Sequence, residues 1–201
     1  MHKSNDNALI IFARNPFEGK VKTRLAKDVG NTKALKVYIS LLNHTFMQTK
    51  NLSADKFLFL SENTDGEIFD NTFTQFVQIG SSLGERMMNA FNIVFEKEYK
   101  RVLIAGTDCP GLTEEIIETA FEDLMKYHFT IGPSSDGGYY LLGMNEPNDY
   151  VFENIEWSNE HVLDKTIDKI KAKHKSYNLL KELNDIDNEK DLNSFVDFKF
   201  L

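Results

Sequence analysis

Four cations, Arg14, Lys20, Lys22 and Arg24, fall within eleven residues of a chain whose formal net charge is −8. The same stretch, Arg14 to Leu25, contains Gly19, where bare backbone can approach a ligand. Arginine forks, a lysine point charge and backbone amides together suit a di- or triphosphate, with Arg14, Gly19, Lys22, Thr23 and Arg24 as the candidate contacts. A solvated charged loop is the plainer alternative. The stretch is not a Walker A loop, because Val21 precedes Lys22-Thr23 where that motif requires glycine.

Carboxylates form the second group. Asp108 stands in Gly106-Thr107-Asp108-Cys109-Pro110, directly after an apolar run, where it can hold Mg²⁺ or Mn²⁺ against phosphate oxygens or simply cap a helix. Asp185 and Asp187 alternate ahead of a short helix that Asn188 would cap. Asp187 is the candidate second metal ligand, and helix capping with dipole complementation is its alternative. In Asp136-Gly137-Gly138-Tyr139-Tyr140, Asp136 can act as general base on an acceptor hydroxyl, although an Asp-Gly hairpin turn has the same sequence. Gln78 can read a base edge, and Gly84 can let backbone approach a ligand. Glu85 and Arg86 pair with neighbours in this reading, Met87 and Met88 join the core, and Trp157 either covers an acceptor pocket or packs inside.

The elements that must carry these residues follow from hydrophobic pattern. Ala8 to Ala13 and Arg101 to Ala105 are unbroken apolar runs of the kind buried on both faces of a parallel sheet. Further strands are expected at Lys56–Leu60, Phe76–Ile79, Phe129–Pro133 and Tyr139–Met144. Helices are expected from Asn31 to Lys50 with Asn31 or Thr32 as cap, over Leu83–Phe95, from Thr113 through Met125, and over Glu160–Lys173. Strands alternating with helices predict an α/β fold with a mostly parallel sheet, and ligands bind such sheets beyond the carboxyl ends of the strands. No repeat or Pro/Gly/Ser-rich linker interrupts residues 1–201, so a single domain is expected.

Composition narrows the function classes. With 41% hydrophobic and 27% charged residues the chain is an ordinary globular sequence. Its acidic balance argues against nucleic-acid binding, and no segment is apolar for long enough to suggest a membrane partner. The polar N-terminus and the lone Cys109 point to the cytoplasm and exclude an internal disulfide. A carboxylate beside Cys109 should raise its thiol pKa and make a catalytic thiolate improbable. His2, His44, His128, His161 and His174 show no metal spacing.

The order of A-R-x-P-x-x-G-x-x-K-T-R-L, Q-x-G-x-x-L-G-E-R-M at Gln78–Met87, G-T-D-C-P, G-P-x-x-D-G-G-Y-Y-L-L-G at Gly132–Gly143 and a final D-I-D resembles the DUF2064 family. Its members are described as glycosyltransferase-like proteins of the nucleotide-diphospho-sugar transferase superfamily, some as arsenosugar biosynthesis glycosyltransferases. The first loop is also similar to that of 2-phospho-lactate guanylyltransferases. The resemblance implies a GT-A type, Rossmann-like three-layer fold that binds a nucleotide and Mg²⁺ or Mn²⁺. It places Arg14, Lys22 and Arg24 on donor phosphates and Asp108 and Asp187 on the metal, and Asp136, Gly137, Gly138, Tyr139 and Trp157, the candidate acceptor-binding residues, fit the same pattern. Lys22 and Asp136 are the candidate catalytic residues. Asn188 stands where the family pattern has Thr, a change that preserves capping. The expected activity is metal-dependent transfer from a nucleotide-sugar to a small-molecule acceptor. The alternatives are nucleotidyl transfer with release of pyrophosphate, and a nucleotide-binding protein without turnover.

Overall fold

The computed structural model describes residues 5–63 and 68–195. His2 lies outside them. In chain order the main elements are β1 (Asn7–Ala13), α1 (Thr23–Val29), α2 (Asn31–Thr49), β2 (Asp55–Leu60), β3 (Phe73–Val77), α3 (Leu83–Phe95) and β4 (Arg101–Gly106). They continue with α4 (Glu114–Asp123), β5 (Phe129–Pro133), β6 (Tyr139–Met144), α5 (Val162–Ala172), β7 (Tyr177–Leu179) and α6 (Glu189–Ser194).

The strands form one sheet in the order β3-β2-β1-β4-β6-β5-β7. β1 runs parallel to both β2 and β4, β2 to β3, and β5 to β7. β6 alone is antiparallel to its neighbours β4 and β5, because a tight turn rather than a crossover helix joins it to β5. The expected α/β, mostly parallel GT-A type sheet is therefore present with one reversed strand.

Side-chain alternation along the strands separates two helical layers. Leu9 and Ile11 of β1 pack with Tyr38 and Leu42 of α2 and Ile117 and Phe121 of α4. Ala8 and Ile10 face the other way, toward Met87 and Phe91 of α3 and Ile167 and Ile170 of α5. Fully buried side chains such as Phe91 and Leu103 contribute roughly 1.5–3 kcal/mol each. A third cluster joins Leu25 of α1 and Val37 and Leu41 of α2 to Ile186 and Leu192 at α6. That cluster fastens the C-terminal acidic segment beside the first loop.

Local chemistry sets the helix starts. Ser82 Oγ accepts from Glu85 N at 3.2 Å to cap α3, and Thr113 Oγ1 accepts from Ile116 N at 3.3 Å to cap α4. Asn188 and Asp191 form a reciprocal capping box on α6. α2 departs from expectation: Gly30, at φ 85°, is its N-cap, and the Thr32 hydroxyl donates to Glu18 at 2.6 Å instead. α1 lies where a continuous loop was expected, and β7 has only three residues.

Candidate functional site

A cavity of about 890 Å³ opens at the carboxyl ends of β1 and β4, between the two helical layers. Its size is that of a small-molecule site. One wall comes from the β1–α1 loop and the acidic segments after β4 and before α6. The other comes from α3, the start of β6 and the segment leading into α5.

The first wall is anchored by hydrogen bonds to its entry residues. The Tyr38 hydroxyl accepts from Arg14 N and donates to Arg14 O, both at 2.8 Å. Asn15 Oδ1 accepts from Ser61 Oγ and from Glu62 N, both at 3.0 Å. Lys22 caps α1 from a left-handed backbone, φ 46° and ψ 44°, which costs a side-chain-bearing residue about 1–2 kcal/mol. That conformation turns its side chain inward until only 3% is exposed.

Lys22 Nζ lies 2.8 Å from Asp108 Oδ1 and 3.3 Å from Asp187 Oδ1. Arg24 Nη1 reaches Asp187 Oδ2 at 3.3 Å from the solvent side. Burial alone would push the Lys22 ammonium down, but Asp108, Asp187 and Asp185 together hold it above its ordinary value. Asp185 is the deeper acid. Burial first, then Asp108 and Asp136, push its carboxyl up to about 7 against the pull of Lys22. Its Oδ1 is buried without a hydrogen-bond partner. Cys109 is also buried, and burial and the neighbouring Asp185 raise its thiol pKa.

No group of three His, Cys, Asp or Glu among the described residues is arranged as a cation cage, and Lys22 stands between Asp108 and Asp187. The donor set nevertheless fits a hard divalent ion: the available atoms are carboxylate oxygens, and the buried Asp185 Oδ1 accepts no hydrogen bond from the described residues.

The second wall is mostly apolar, with Leu83, Met87, Tyr139 and Trp157 in the lining. Trp157 stacks on Phe152 at 6.4 Å and meets Tyr139 edge-on at 6.5 Å. A Cβ on Gly84 would come within 2.3 Å of the indole nitrogen, so Gly84 is bare to seat Trp157 and not to admit a ligand. Tyr139 presents ring surface, since its hydroxyl is buried and unbonded. Tyr140 enters the opposite layer, where its hydroxyl donates to Lys181 O at 2.9 Å.

The Asp136 turn closes the cavity at one end. Asp136 Oδ1 accepts from Gly138 N at 3.0 Å and from the Ser134 hydroxyl, so one oxygen holds the hairpin. Gly137, at φ 86°, has no room for a side chain, because a Cβ would meet Glu160 O at 2.1 Å.

Of the residues singled out in the sequence, Arg14, Lys22, Thr23, Arg24, Gln78, Asp108, Asp136, Gly138, Tyr139, Trp157 and Asp187 line the cavity. Gly19, Gly84 and Gly137 do not. Gly19, at φ 76°, serves a turn in which Lys20 N donates to Phe17 O at 3.0 Å. Gln78 Nε2 is already spent on Ala13 O and Phe59 O, at 2.9 and 3.0 Å, and ties β1 to β2. Sequence reasoning noted the alternate carboxylates but carried only Asp187 forward, whereas Asp185 also lines the cavity. That reasoning missed Tyr38, which lies in mid-helix with no local signal.

The profile of the DUF2064 family, described as uncharacterized protein conserved in bacteria, matches residues 45–159. No curated protein matches the chain. A solved structure from Desulfovibrio desulfuricans G20, provisionally called a nucleotide-diphospho-sugar transferase, is 31% identical. It superposes at TM-score 0.90 over 95% of this chain and 86% of its own. The inositol-1-phosphate CTP transferase of T. maritima superposes at TM-score 0.55 over 100% of this chain and 96% of its own, with 14% identity. Manganese-complexed Rv0371C from Mycobacterium tuberculosis H37Rv superposes at TM-score 0.57 over 97% and 100%, with 12% identity. The last two likenesses are of fold alone.

Proposed function

This chain belongs to the DUF2064 family, and from that membership and its cavity we propose that it is a metal-dependent transferase that moves a sugar from a nucleotide-sugar to a small-molecule acceptor. The observation that carries the reading is the meeting of Lys22 with Asp108 and Asp187 in a cavity of nucleotide size. Arg14, Lys22 and Arg24 bind the donor diphosphate. Asp108 and Asp187, with Asp185 behind them, would hold Mg²⁺ or Mn²⁺. When bound, the ion neutralises charge on the diphosphate leaving group. Manganese in a structure of the same fold supports a divalent ion, and no more than that.

The acceptor lies between Asp136 and the Trp157–Tyr139 surface. Its hydroxyl oxygen attacks the anomeric carbon, the bond from that carbon to the diphosphate oxygen breaks, and the hydroxyl proton passes to the Asp136 oxygen not committed to the turn. Lys22 stays protonated and stabilises the departing nucleoside diphosphate. In this proposal residues 1–201 form one domain acting on small molecules in the cytoplasm. The described residues contain no helix long and apolar enough to cross a membrane.

One observation favours a second reading. Arg14, Lys22 and Arg24 stand together across the β1–α1 loop and the first turn of α1, and such a cluster suits the larger charge of a triphosphate tail, with attack of an acceptor oxygen on the α-phosphorus and loss of pyrophosphate. A thermal-shift panel of triphosphates and nucleotide-sugars, with and without Mn²⁺, tests both. A metal-dependent shift with one nucleotide-sugar supports sugar transfer, and a shift confined to one triphosphate supports nucleotidyl transfer. No shift with any nucleotide overturns the transferase reading.

A further inference from the structure

Four cations of the described residues line the cavity, and three of them, Arg14 and Lys22 of the β1–α1 loop and Arg24 of the first turn of α1, stand together. The fourth is Arg86, on α3 in the opposite helical layer. Its neighbourhood explains how it is held. Three side chains of α3 tie down the preceding loop: Glu85 takes Ser81 N at 2.7 Å, Asn89 Nδ2 donates to Ile79 O at 2.8 Å, and Arg86 Nε donates to Gly80 O at 2.9 Å. Gly80 has no side chain because a Cβ there would meet Arg86 N at 2.9 Å.

That bond restrains the Arg86 guanidinium at its Nε edge and uses one of its five N–H donors. Among the described residues neither Nη forms a hydrogen bond, and no carboxylate forms an ion pair with Arg86. Lys22 and Arg24, by contrast, already rest on carboxylates. Arg86 therefore presents an oriented and unspent fork to the cavity. Beside it, Leu83 is 43% exposed and Ile79, in the tied loop, 61% exposed, a high exposure for such large apolar side chains. Met87 and Trp157 continue that apolar surface.

We infer that Arg86 is a specificity-determining residue that binds an anionic group, a carboxylate or a phosphate, on the acceptor, whose apolar body lies against Leu83, Met87 and Trp157. The inference rests on the two-substrate reading above for the word acceptor, but not for the existence of the anion subsite. A fork of this kind takes two oxygens of one carboxylate or phosphate, and a lysine ammonium does not reproduce it. Asp136 and Glu160, also in the lining, repel an anion placed elsewhere on this wall, so Arg86 sets the ligand's orientation as well as its charge class.

The test uses the full chain and simple probes. Phenyl phosphate and phenylacetate present an apolar body with each anionic head, benzyl alcohol is the neutral control, and pyrophosphate probes the opposite wall. Binding is measured by calorimetry for wild type, Arg86→Gln, Arg86→Lys and Arg24→Gln. The expected result is a loss of at least tenfold for one or both anionic phenyl probes in Arg86→Gln, a smaller loss in Arg86→Lys, and unchanged pyrophosphate binding in both. The relative losses of the two probes identify which head group the site takes. Arg86→Lys carries the test if Arg86→Gln does not fold. Equal affinity in wild type and the Arg86 variants, loss confined to Arg24→Gln, binding of benzyl alcohol as tight as that of the anions, or no binding of either anion to wild type overturns the inference. If pyrophosphate fails to bind while the phenyl anions remain dependent on Arg86, the transferase reading falls and the anion subsite stands.

Discussion

The Lys22 ammonium sits 2.8 Å from Asp108 Oδ1 with 3% of the lysine side chain exposed, while the aspartate remains 48% exposed. A buried cation is thus matched to a carboxylate that still faces the cavity. The lysine serves as counter-ion to Asp108 and Asp187 together, and any other cation binding those acids competes with it.

Replacing Lys22 with Met leaves Asp108, Asp185 and Asp187 without their central positive charge. Breaking a fully buried pair costs about 3–5 kcal/mol, and solvent screening of the two exposed acids reduces this to about 1–2 kcal/mol. Thermal denaturation should show a fall of roughly 2–8 °C in Tm for a chain of this size. Mn²⁺ should raise the variant's Tm by more than it raises the wild type's. An equal response would show that Lys22 and the metal do not share these carboxylates.

Asp136 has one oxygen in the turn and one available for chemistry. Asp136→Asn keeps an Oδ1 acceptor for Gly138 N, so stability should change by no more than about 0.5 kcal/mol. Turnover should fall by about 10²–10⁴ if the free oxygen takes the acceptor's proton. Chemical denaturation and kinetics on the same preparation separate the two roles, and unaltered turnover in a stable variant would remove Asp136 from the mechanism.

Gly84→Ala tests the seating of Trp157. The new methyl would press on the indole, at a cost of about 1–3 kcal/mol if the ring shifts to relieve it. Trp157 is the one tryptophan in the sequence, so its emission reports that shift without a label. Unchanged emission together with unchanged stability would mean that the indole is not confined by α3.

Glu85 supplies a pH prediction away from the acidic wall. Hydrogen bonds from the Ser81 hydroxyl and then from Ser81 N hold its carboxyl below the ordinary value of 4.5. A depressed acid stabilises the fold above its unfolded pKa, and that contribution disappears as the pH falls through the folded value. Carbon-detected NMR titration should place the Glu85 midpoint below 4.5. In Ser81→Ala it should move part of the way back, because the backbone donor remains. A midpoint that ignores the substitution would show that the hydroxyl is not bonded to this carboxylate in solution.

Much of the frame was legible from pattern. α3 begins at Leu83 and ends at Phe95 as its periodicity indicates, and β5 and β6 occupy the expected residues. These segments combine strong apolar spacing with clear caps or turns. α1 escaped notice because its N-cap is a left-handed lysine with no side-chain cap bond, buried in a stretch that reads as a charged loop. β6 could not be assigned a direction from its apolar run, since that depends on the short turn at Asp136. The residue types pointed to the loops that line the cavity, but not to the use each residue makes of its atoms. Gln78 spends its amide nitrogen inside the sheet, Gly84 accommodates an indole, and Asp185 rather than Asp187 is the acid with an unpartnered buried oxygen. Those outcomes depend on neighbours far away in sequence.

The adjacent tyrosines that open β6 work as a spacer. Tyr139 belongs to one helical layer and Tyr140 to the other, so this strand helps set how far apart the two walls stand. Gly132 on β5 fixes one side of that gauge, because a Cβ there would lie 2.3 Å from the Tyr140 ring. The bore of the cleft is thus governed partly from inside the sheet. The width between the walls can therefore be altered at a buried glycine that is not part of the lining, while the cavity's charged residues stay as they are.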